Sequence, residues 1–420
     1  MKNHNLIIIL ILTTLALLTT GCQKEQGFDY AELVDGETFN KFIPATARSV
    51  VFEYNEFTTG KRITLSTPTS PVPIYGHLDS TVWHVTTTAS TIYANPHCAK
   101  MFYNRSKLKS IEFGSGFNTS NVTDMRGMFQ GCSKLTNLNL SSFNTSNVNS
   151  MAAMFKGCSG LTSLDVSSFN TSNVIYMSRA VDSVFYENAP DGHPFATHNQ
   201  YMLLGMFAGC SSLTSLDLSN FNTSKVTDMR GLFAGCKNLR SLNISSFNTS
   251  NVQHMDALFK GCSSLTSLDL SNFNTSNVVS MGYYVRVFSN SGSWGQLQHS
   301  GYDWDGGMFM NCSGLTSLNL SSFNTSKVTN MCKMFCNCKQ LTFLDLSNFD
   351  MTLVDRNKKL DMCSGLSTTS RACTIVCTES VQNSLLEYYQ YIAQYEEDED
   401  VFYYYTDIPV DEVTFTWVRP

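Results

Sequence analysis

The chain has 420 residues, a net charge of −6 and only 15% charged residues. Its one basic stretch, NRSKLK at 104–109, is too short to form a footprint for nucleic acid, so that class of partner is excluded. The length and composition favour one elongated array over several globular domains.

The N-terminus resembles a bacterial lipoprotein signal over residues 1–21. An apolar run at 6–18 is shorter than the roughly 18 to 20 residues that cross a bilayer, which favours a secretory signal over a permanent membrane helix. The following TTGC resembles a lipobox and predicts lipidation at Cys22, although Thr19 stands where Leu is usual. The alternative is ordinary cleavage near Gly21, which would release a soluble secreted chain.

Residues 23–25, QKE, resemble the short signal that directs some lipoproteins to the outer face of the outer membrane. The predicted location is therefore the outer membrane at the cell surface, with membrane attachment through the lipid anchor. Retention facing the periplasm stays open.

Two segments precede the regular repeats. Residues 22–71 are expected to form an N-terminal tether, and residues 72–116 a cap with strand-like alternation. The cap includes a degenerate repeat at 101–113, which has Arg105 where later repeats have Cys. A cap is expected because a stack of repeats would otherwise expose its apolar end.

A 26-residue block, FNTSNVTDMRGMFQGCSKLTNLNLSS at 117–142, recurs almost unchanged down the chain. Its first Phe returns at Phe143, Phe169, Phe221, Phe247, Phe273, Phe323 and Phe349, in steps of 26 residues except two of 52 and 50. Such a period predicts a leucine-rich-repeat solenoid with short parallel β-strands on one face, short helices or turns on the other, and caps at both ends. The array is expected over 117–362, with insertions near 178–204 and 282–306.

Each repeat has a strand-like half. The LxxLxL spacing of Leu135, Leu138 and Leu140 predicts a strand in which the last two point inward and the residue between them faces solvent. The outward column is Asn139, Asp165, Asp217, Asn243, Asp269, Asn319 and Asp345. This polar, mildly acidic face makes Asp165, Asp217 and Asp269 candidate partner-binding residues.

The other half carries Val122, Met125, Phe129 and Cys132, spaced three, four and three residues apart. This spacing predicts one face of a short helix or helical turn, with Ser120 as its N-cap. The Asn-Thr-Ser triplets are predicted to bond the backbone turns of their own or the next repeat. The same triplets fit N-glycosylation acceptors, an alternative that the lipoprotein signal disfavours.

Seven of the 14 cysteines share one repeat position, which predicts core packing. Six others, Cys98, Cys332, Cys336, Cys363, Cys373 and Cys377, are expected to form disulfides in an exported chain, with connectivity left open. Zinc at Cys332, Cys336 and Cys338 is disfavoured because the last belongs to the packing column. No metal and no cofactor is predicted.

Both insertions leave the same repeat position, after Met177 and after Met281. Three repeats, or about 14 Å, separate them, so they are expected to form neighbouring loops. Their aromatic and histidine residues are candidate partner-binding anchors: Tyr186, His193, Phe195 and Tyr201 in the first, and Tyr284, Trp294, Tyr302 and Trp304 in the second. The alternative is that these side chains pack together as a local core.

After Phe349 the repeat decays, and residues 363–420 are expected to form a C-terminal cap. The cap contains a helix over 379–394 and a final strand over 412–418. The acidic run at 396–400 lacks the spacing of a calcium loop and is read as solvated.

From the MF-x-GC-x-x-L-x-x-L core and the FNTSNV turn, residues 75–362 resemble the BspA-like leucine-rich repeat surface proteins. The resemblance implies a bacterial cell-surface protein, and some relatives act as adhesins for host matrix or plasma proteins such as fibronectin or fibrinogen. It implies no transferable catalytic residues.

The leading hypothesis is a surface-displayed, adhesin-like protein that binds a host or matrix protein. Two alternatives are a glycan-binding surface protein, with Trp294 and Trp304 stacking on sugar rings, and a periplasmic interaction scaffold. An enzyme is disfavoured because the serines are repetitive, the eight histidines are scattered, and no nucleophile has a positioned base.

Overall fold

The computed structural model describes residues 29–55, 61–178, 180–181, 202–203, 205–283, 306–355, 358–359, 361–366, 373–386 and 414–417. These residues include a helix α1 (Gly36–Phe42) and a helical segment over 379–386. The strands are β1 (Tyr30–Glu32), β2 (Ser49–Glu53), β3 (Ile63–Thr64), β4 (Tyr75–Asp79), β5 (Val82–Thr86), β6 (Thr91–Tyr93), β7 (Ser110–Glu112), β8 (Phe117–Asn118), β9 (Asn137–Leu138), β10 (Ala180–Val181), β11 (Met202–Leu203), β12 (Ser215–Asp217), β13 (Ser241–Asn243), β14 (Phe343–Asp345), β15 (Thr374–Cys377) and β16 (Thr414–Trp417).

Most of these strands are short and pair in small, mainly parallel sheets. We number the repeats 1 to 7 from their first residues, Phe117, Phe143, Phe169, Phe221, Phe247, Phe273 and Phe323. Strands at equivalent positions of repeats 3 and 4 pair in parallel, as β12 does with β13, and β14 of repeat 7 pairs in parallel with β15, which follows the repeats. Single parallel bridges join the eighth residues of the repeats, in the series Asp124, Ser150, Tyr176 and the series Asp228, His254, Ser280, Asn330. Neighbouring repeats therefore lie side by side in the same direction.

Of the short helix or helical turn expected around Val122 to Cys132, the turn is the form present, because these residues make a series of turns and no helix. The Phe129 N–H donates to the Met154 carbonyl of the next repeat at 2.9 Å, and the Gly131 N–H donates to the Lys156 carbonyl at 2.7 Å. Gly131 has φ of +76°, a left-handed conformation that ends any helical run. The apolar side chains still point into the core, because the turns also place them on one side.

Ser120 is not a helix N-cap. Its backbone N–H donates to the side-chain oxygen of Asn118 at 2.9 Å, which makes a turn closed by the asparagine side chain. The same bond recurs between Asn222 and Ser224 at 3.0 Å. The asparagine side chain therefore closes a turn at the position where we expected serine to cap a helix.

The core centre is a column of stacked phenylalanine rings. Adjacent rings lie 5.5 to 5.8 Å apart with interplanar angles of 3 to 13°. The rings belong to Phe102, Phe129, Phe155, Phe207, Phe233, Phe259, Phe309 and Phe335, all fully buried. Because each ring contacts the rings before and after it, the core runs continuously through the repeats.

The tether expected over 22–71 is wrong for residues 29–55 and 61–71, which are folded. Strand β1 pairs in parallel with β6, and β2 pairs in parallel with β7, so residues 29–55 align beside the first repeat-like segment. Helix α1 replaces the series of turns and buries Phe39 against Phe52, with ring centroids 6.0 Å apart. The Asp35 side chain caps α1 by accepting the Thr38 N–H at 2.9 Å.

The N-terminal cap completes a six-stranded sheet in the order β3-β4-β5-β2-β7-β9. Within it, residues 101–113 make backbone hydrogen bonds like those of the later repeats. The Phe102 N–H donates to the Met128 carbonyl at 2.8 Å, as the equivalent groups do in later repeats. Arg105 takes the place of the column cysteine, and its Nε donates to Asn40 Oδ1 at 2.6 Å.

At the C-terminal end, β14, β15 and β16 form one parallel sheet. The expected helix is present over 379–386 and the expected strand over Thr414–Trp417. The expected disulfides are not formed, since the structure holds all the cysteines that it describes as thiols. Cys363 follows the register of the phenylalanine column, and Cys377 follows β15 inward, so both replace core side chains of the repeat.

Candidate binding surfaces

The strand side of the repeats presents the outward polar column that the alternation predicts. Asp165, Asp217 and Asp269 are exposed, whereas Leu216, the neighbour of the second, is 3% exposed. Asp217 pairs with Asn243 across β12 and β13, so these two members of the column lie on adjacent strands. Where such strands pair, members of the column lie about 4.8 Å apart.

These three carboxylates are held in one orientation by their own backbone. Each accepts the N–H two residues further on, at 2.9 Å for Asp165 and 3.0 Å for both Asp217 and Asp269. These hydrogen bonds stabilise the ionised form and lower the pKa of each aspartate, against a small opposing effect of desolvation. The strand side therefore keeps its negative charges at neutral pH. Contact of these residues with a partner stays a prediction.

The Asn-Thr-Ser triplets bond successive repeats, as predicted. The Thr223 hydroxyl accepts the Asn248 N–H at 2.8 Å and donates to the Asn248 carbonyl at 2.9 Å. The equivalent threonines, Thr119, Thr145, Thr171, Thr249, Thr275 and Thr325, make the same pair of bonds and are at most 1% exposed. A buried hydroxyl thus satisfies two backbone groups at each junction.

The column cysteines do more than pack. Each thiol donates to the carbonyl of the phenylalanine in the preceding repeat, as Cys236 does to Phe207 at 3.2 Å. The other pairs are Cys132 with Phe102, Cys158 with Phe129, Cys210 with Phe155, Cys262 with Phe233, Cys312 with Phe259, and Cys338 with Phe309, at 3.0 to 3.2 Å. Burial raises the pKa of the Cys236 thiol to about 12, so it stays protonated and unreactive. Sequence reasoning identified the packing but missed the donor.

The candidate residues in the insertions, Tyr186, His193, Phe195, Tyr201, Tyr284, Trp294, Tyr302 and Trp304, lie outside the described residues, as does Cys22. The points where the insertions leave the repeats are described. In the first, β10 and β11 are antiparallel, and the Met206 N–H donates to the Met177 carbonyl at 3.0 Å. In the second, the Met308 N–H donates to the Met281 carbonyl at 2.8 Å. Each insertion therefore begins and ends at adjacent points on the turn side, away from the strands.

A buried carboxylate lies beside the second insertion point. Asp256 is 2% exposed and accepts a hydrogen bond from the Ser280 hydroxyl. Burial raises the pKa of Asp256, although this bond and the charges of His254 and Arg230 favour the ionised form. The other repeats have Arg126, Ala152, Ser178, Arg230, Gly282 and Cys332 at this position, so the acid is particular to repeat 5.

Sequence reasoning also missed a groove of about 430 Å³ on the surface of repeats 5 to 7. It is lined by Asn251, Gln253, Asn277, Val279 and Lys327, the fifth and seventh residues of their repeats. A comparison of the repeats in groups of three, instead of singly, would have drawn attention to these residues.

The described residues hold no group of three or more His, Cys, Asp or Glu side chains arranged for a metal ion. Across those same parts of the chain, no helix combines the length and apolarity needed to cross a membrane.

A protein-family model described as "Mycoplasma protein of unknown function, DUF285" matches residues 96–190, 201–305 and 303–366, more than half of the chain. The resemblance to BspA-like leucine-rich repeat proteins is therefore wrong, because the model that matches the repeats is that of another family. The error arose because the short motifs of one 26-residue unit were read as specific to a single family. No curated protein and no solved structure matches the chain.

Proposed function

The chain belongs to the DUF285 family of proteins of unknown function, and from that starting point we propose that it is a surface-displayed binding protein, not an enzyme. Lipidation at Cys22 holds it on the outer membrane, facing outward. Its partner is a protein, and the polar strand side of the repeats contacts that partner.

We further propose that the repeats form a complete leucine-rich-repeat solenoid between the two caps. The proposal is supported by the parallel pairing of equivalent strands and by hydrogen bonds between successive repeats that recur at the same positions of each repeat. In a solenoid, each repeat contacts only its neighbours, and the strand side becomes one extended surface. Extended surfaces of this kind suit macromolecular partners better than small molecules.

The observation that carries the proposal is the regular column of exposed, oriented carboxylates at Asp165, Asp217 and Asp269. Such a column offers complementarity to a basic protein surface, which increases association rate and specificity. The buried side of the repeats is occupied by packing and by backbone hydrogen bonds.

Binding of the full chain to immobilised fibronectin and fibrinogen tests the proposal. The triple variant Asp165→Asn, Asp217→Asn, Asp269→Asn should weaken binding by about tenfold or more, because it removes three charges from one surface while each amide oxygen still accepts its local N–H. The matched control is Asp79→Asn, Asp355→Asn, Glu379→Gln, which removes three exposed charges elsewhere. Equal loss in both variants, or no binding of the unmodified chain to either protein, would contradict the proposal.

A further inference from the structure

The array has a longer period than its 26-residue repeat. Repeats 1 and 4 share TDMRG at 123–127 and 227–231, and the third repeat of each group, repeat 3 or repeat 6, carries an insertion. Repeats 4 and 7, which follow the insertions, both read FNTSKVT, at 221–227 and 323–329. Groups of three repeats are therefore a larger unit, and some features beside one insertion point recur beside the other.

One recurring feature is a lysine bonded to an asparagine of the preceding repeat. Lys225 Nζ donates to Asn173 Oδ1 at 2.8 Å, and Lys327 Nζ donates to Asn277 Oδ1 at 2.7 Å. Each asparagine is itself fixed, since its Nδ2 donates to a serine carbonyl of the repeat before it at 2.8 Å. Both lysines are exposed, and each ammonium has further N–H donors for a ligand.

An aliphatic residue lies two positions after each of these asparagines. Ile175 in repeat 3 is 38% exposed, and Val279 in repeat 6 lines the groove of about 430 Å³. The preceding repeat adds two amide side chains in each case, Asn147 and Asn149 at the first site, and Asn251 and Gln253 at the second. We call these two sets the amide–lysine sites: Asn147, Asn149, Asn173, Ile175 and Lys225, and Asn251, Gln253, Asn277, Val279 and Lys327.

The charge of this side contrasts with that of the whole chain, whose net charge is −6. The fifth residues of the seven repeats are Asn or Lys, and the seventh residues are Thr, Asn, Ile, Gln or Val. These two columns therefore contain no carboxylate, and their formal charges are the ammonium groups of Lys225 and Lys327. The volume of the groove, about 430 Å³, is within the range of small-ligand sites.

We propose that the two amide–lysine sites together bind an acidic glycan, meaning a chain of sugars that carries carboxylate or sulfate groups. The side-chain amides hydrogen-bond ring hydroxyls as donors and acceptors, the aliphatic residue packs on the C–H face of a sugar, and the lysine pairs with the anionic group. The sites lie three repeats, or about 14 Å, apart, so one glycan chain binds both. Once the chain is held at one site, its effective concentration at the other is high, which increases the overall affinity.

The test measures the affinity of the full chain, purified in detergent, for hyaluronan, chondroitin sulfate and the neutral glycan dextran. Acidic glycans should bind and dextran should not. Lys225→Gln or Lys327→Gln should weaken binding about fivefold to tenfold, and the double variant by more than fiftyfold, since both contacts of the bivalent ligand are then lost. Glutamine retains a donor for the asparagine, and a circular-dichroism melt checks that the fold is kept.

The matched control is Lys237→Gln with Lys339→Gln, which removes one exposed lysine from each of the same repeats at a different position. If the control loses as much affinity as the double lysine variant, the glycan is attracted only by diffuse positive charge. If dextran binds as tightly as the acidic glycans, the anionic group is not recognised. Either result, or no binding of both acidic glycans, overturns the proposal. The triple aspartate variant of the strand side should bind these glycans as the unmodified chain does, so this proposal and the proposed protein partner fail independently.

Discussion

The buried threonine of each repeat offers a quantitative test of how the repeats are joined. The Thr223 hydroxyl is fully buried, accepts the Asn248 N–H at 2.8 Å and donates to the Asn248 carbonyl at 2.9 Å. Thr223→Val retains the shape of the side chain and removes both bonds. The substitution therefore isolates the hydrogen bonds from the packing.

Each buried backbone group left without its partner costs about 1 to 3 kcal/mol. Asn248 is itself exposed, so water can partly replace the hydroxyl, and we expect a loss of about 2 to 4 kcal/mol in the free energy of unfolding. Thr227→Val makes the same chemical change at an exposed position of the same repeat, where surface substitutions stay within about 0.5 kcal/mol.

Urea unfolding followed by far-ultraviolet circular dichroism measures both variants. We expect the midpoint of Thr223→Val to fall by about 1 M relative to the unmodified chain, with a similar slope, and the midpoint of Thr227→Val to stay unchanged. If the two variants shift the midpoint equally, the hydroxyl bonds between repeats do not stabilise the stack, and the reasoning is refuted.

Three further substitutions test other parts of the core. Asp256 has a raised pKa, so the folded state binds its proton more tightly and loses stability as pH rises from the unfolded pKa of about 3.9 through the folded pKa. Asp256→Asn should therefore raise the melting temperature at pH 7 but not at pH 3. An equal change in melting temperature at both pH values would refute this. A Cβ on Gly205 would lie 2.0 Å from the Gly231 carbonyl oxygen, so Gly205→Ala should lower the free energy of unfolding by about 1 to 3 kcal/mol in urea. An unchanged urea midpoint would show that the backbones of these two repeats separate easily. Cys236→Ala removes the donor to Phe207 and the sulfur volume, and should cost about 1 to 2 kcal/mol by the same measurement; a neutral result would mean that the thiol only fills space.

The repeat period predicted the inward and outward columns because each repeat solves the same packing problem. Once Leu138 and Leu140 face the core in one repeat, their equivalents must do so in the next, and the polar residues between them, Asn139 and its equivalents, must face solvent. The same logic identified the cysteine column and the bonding of the Asn-Thr-Ser triplets to backbone turns. Repetition thus supplied several agreeing observations for each position.

The turn half was harder to predict because a spacing of three and four residues fits both a helix and successive turns. The difference lies in the destination of the backbone N–H groups, which bond the next repeat instead of the preceding helical turn. Gly127 and Gly131, both with positive φ, carried the only local signal for turns. A glycine at both positions should have weighed against a helix.

Residues 29–55 could not be recognised as folded onto the array because they share no pattern with the repeats. Their fit depends on long-range pairing of β1 with β6 and of β2 with β7. Likewise, the amide–lysine sites combine residues of three successive repeats. Such combinations do not show in the sequence of any single repeat.

Protease treatment of intact cells tests the central claim, surface display, most directly. Cells that express the full chain or its Cys22→Ala variant are treated with protease, and the repeats are detected by antibody in the cell-bound and released fractions. The account predicts that the unmodified chain is cell-bound and digested on intact cells, and that the variant is released or mislocalised. Digestion of the unmodified chain only after the outer membrane is opened would contradict surface display.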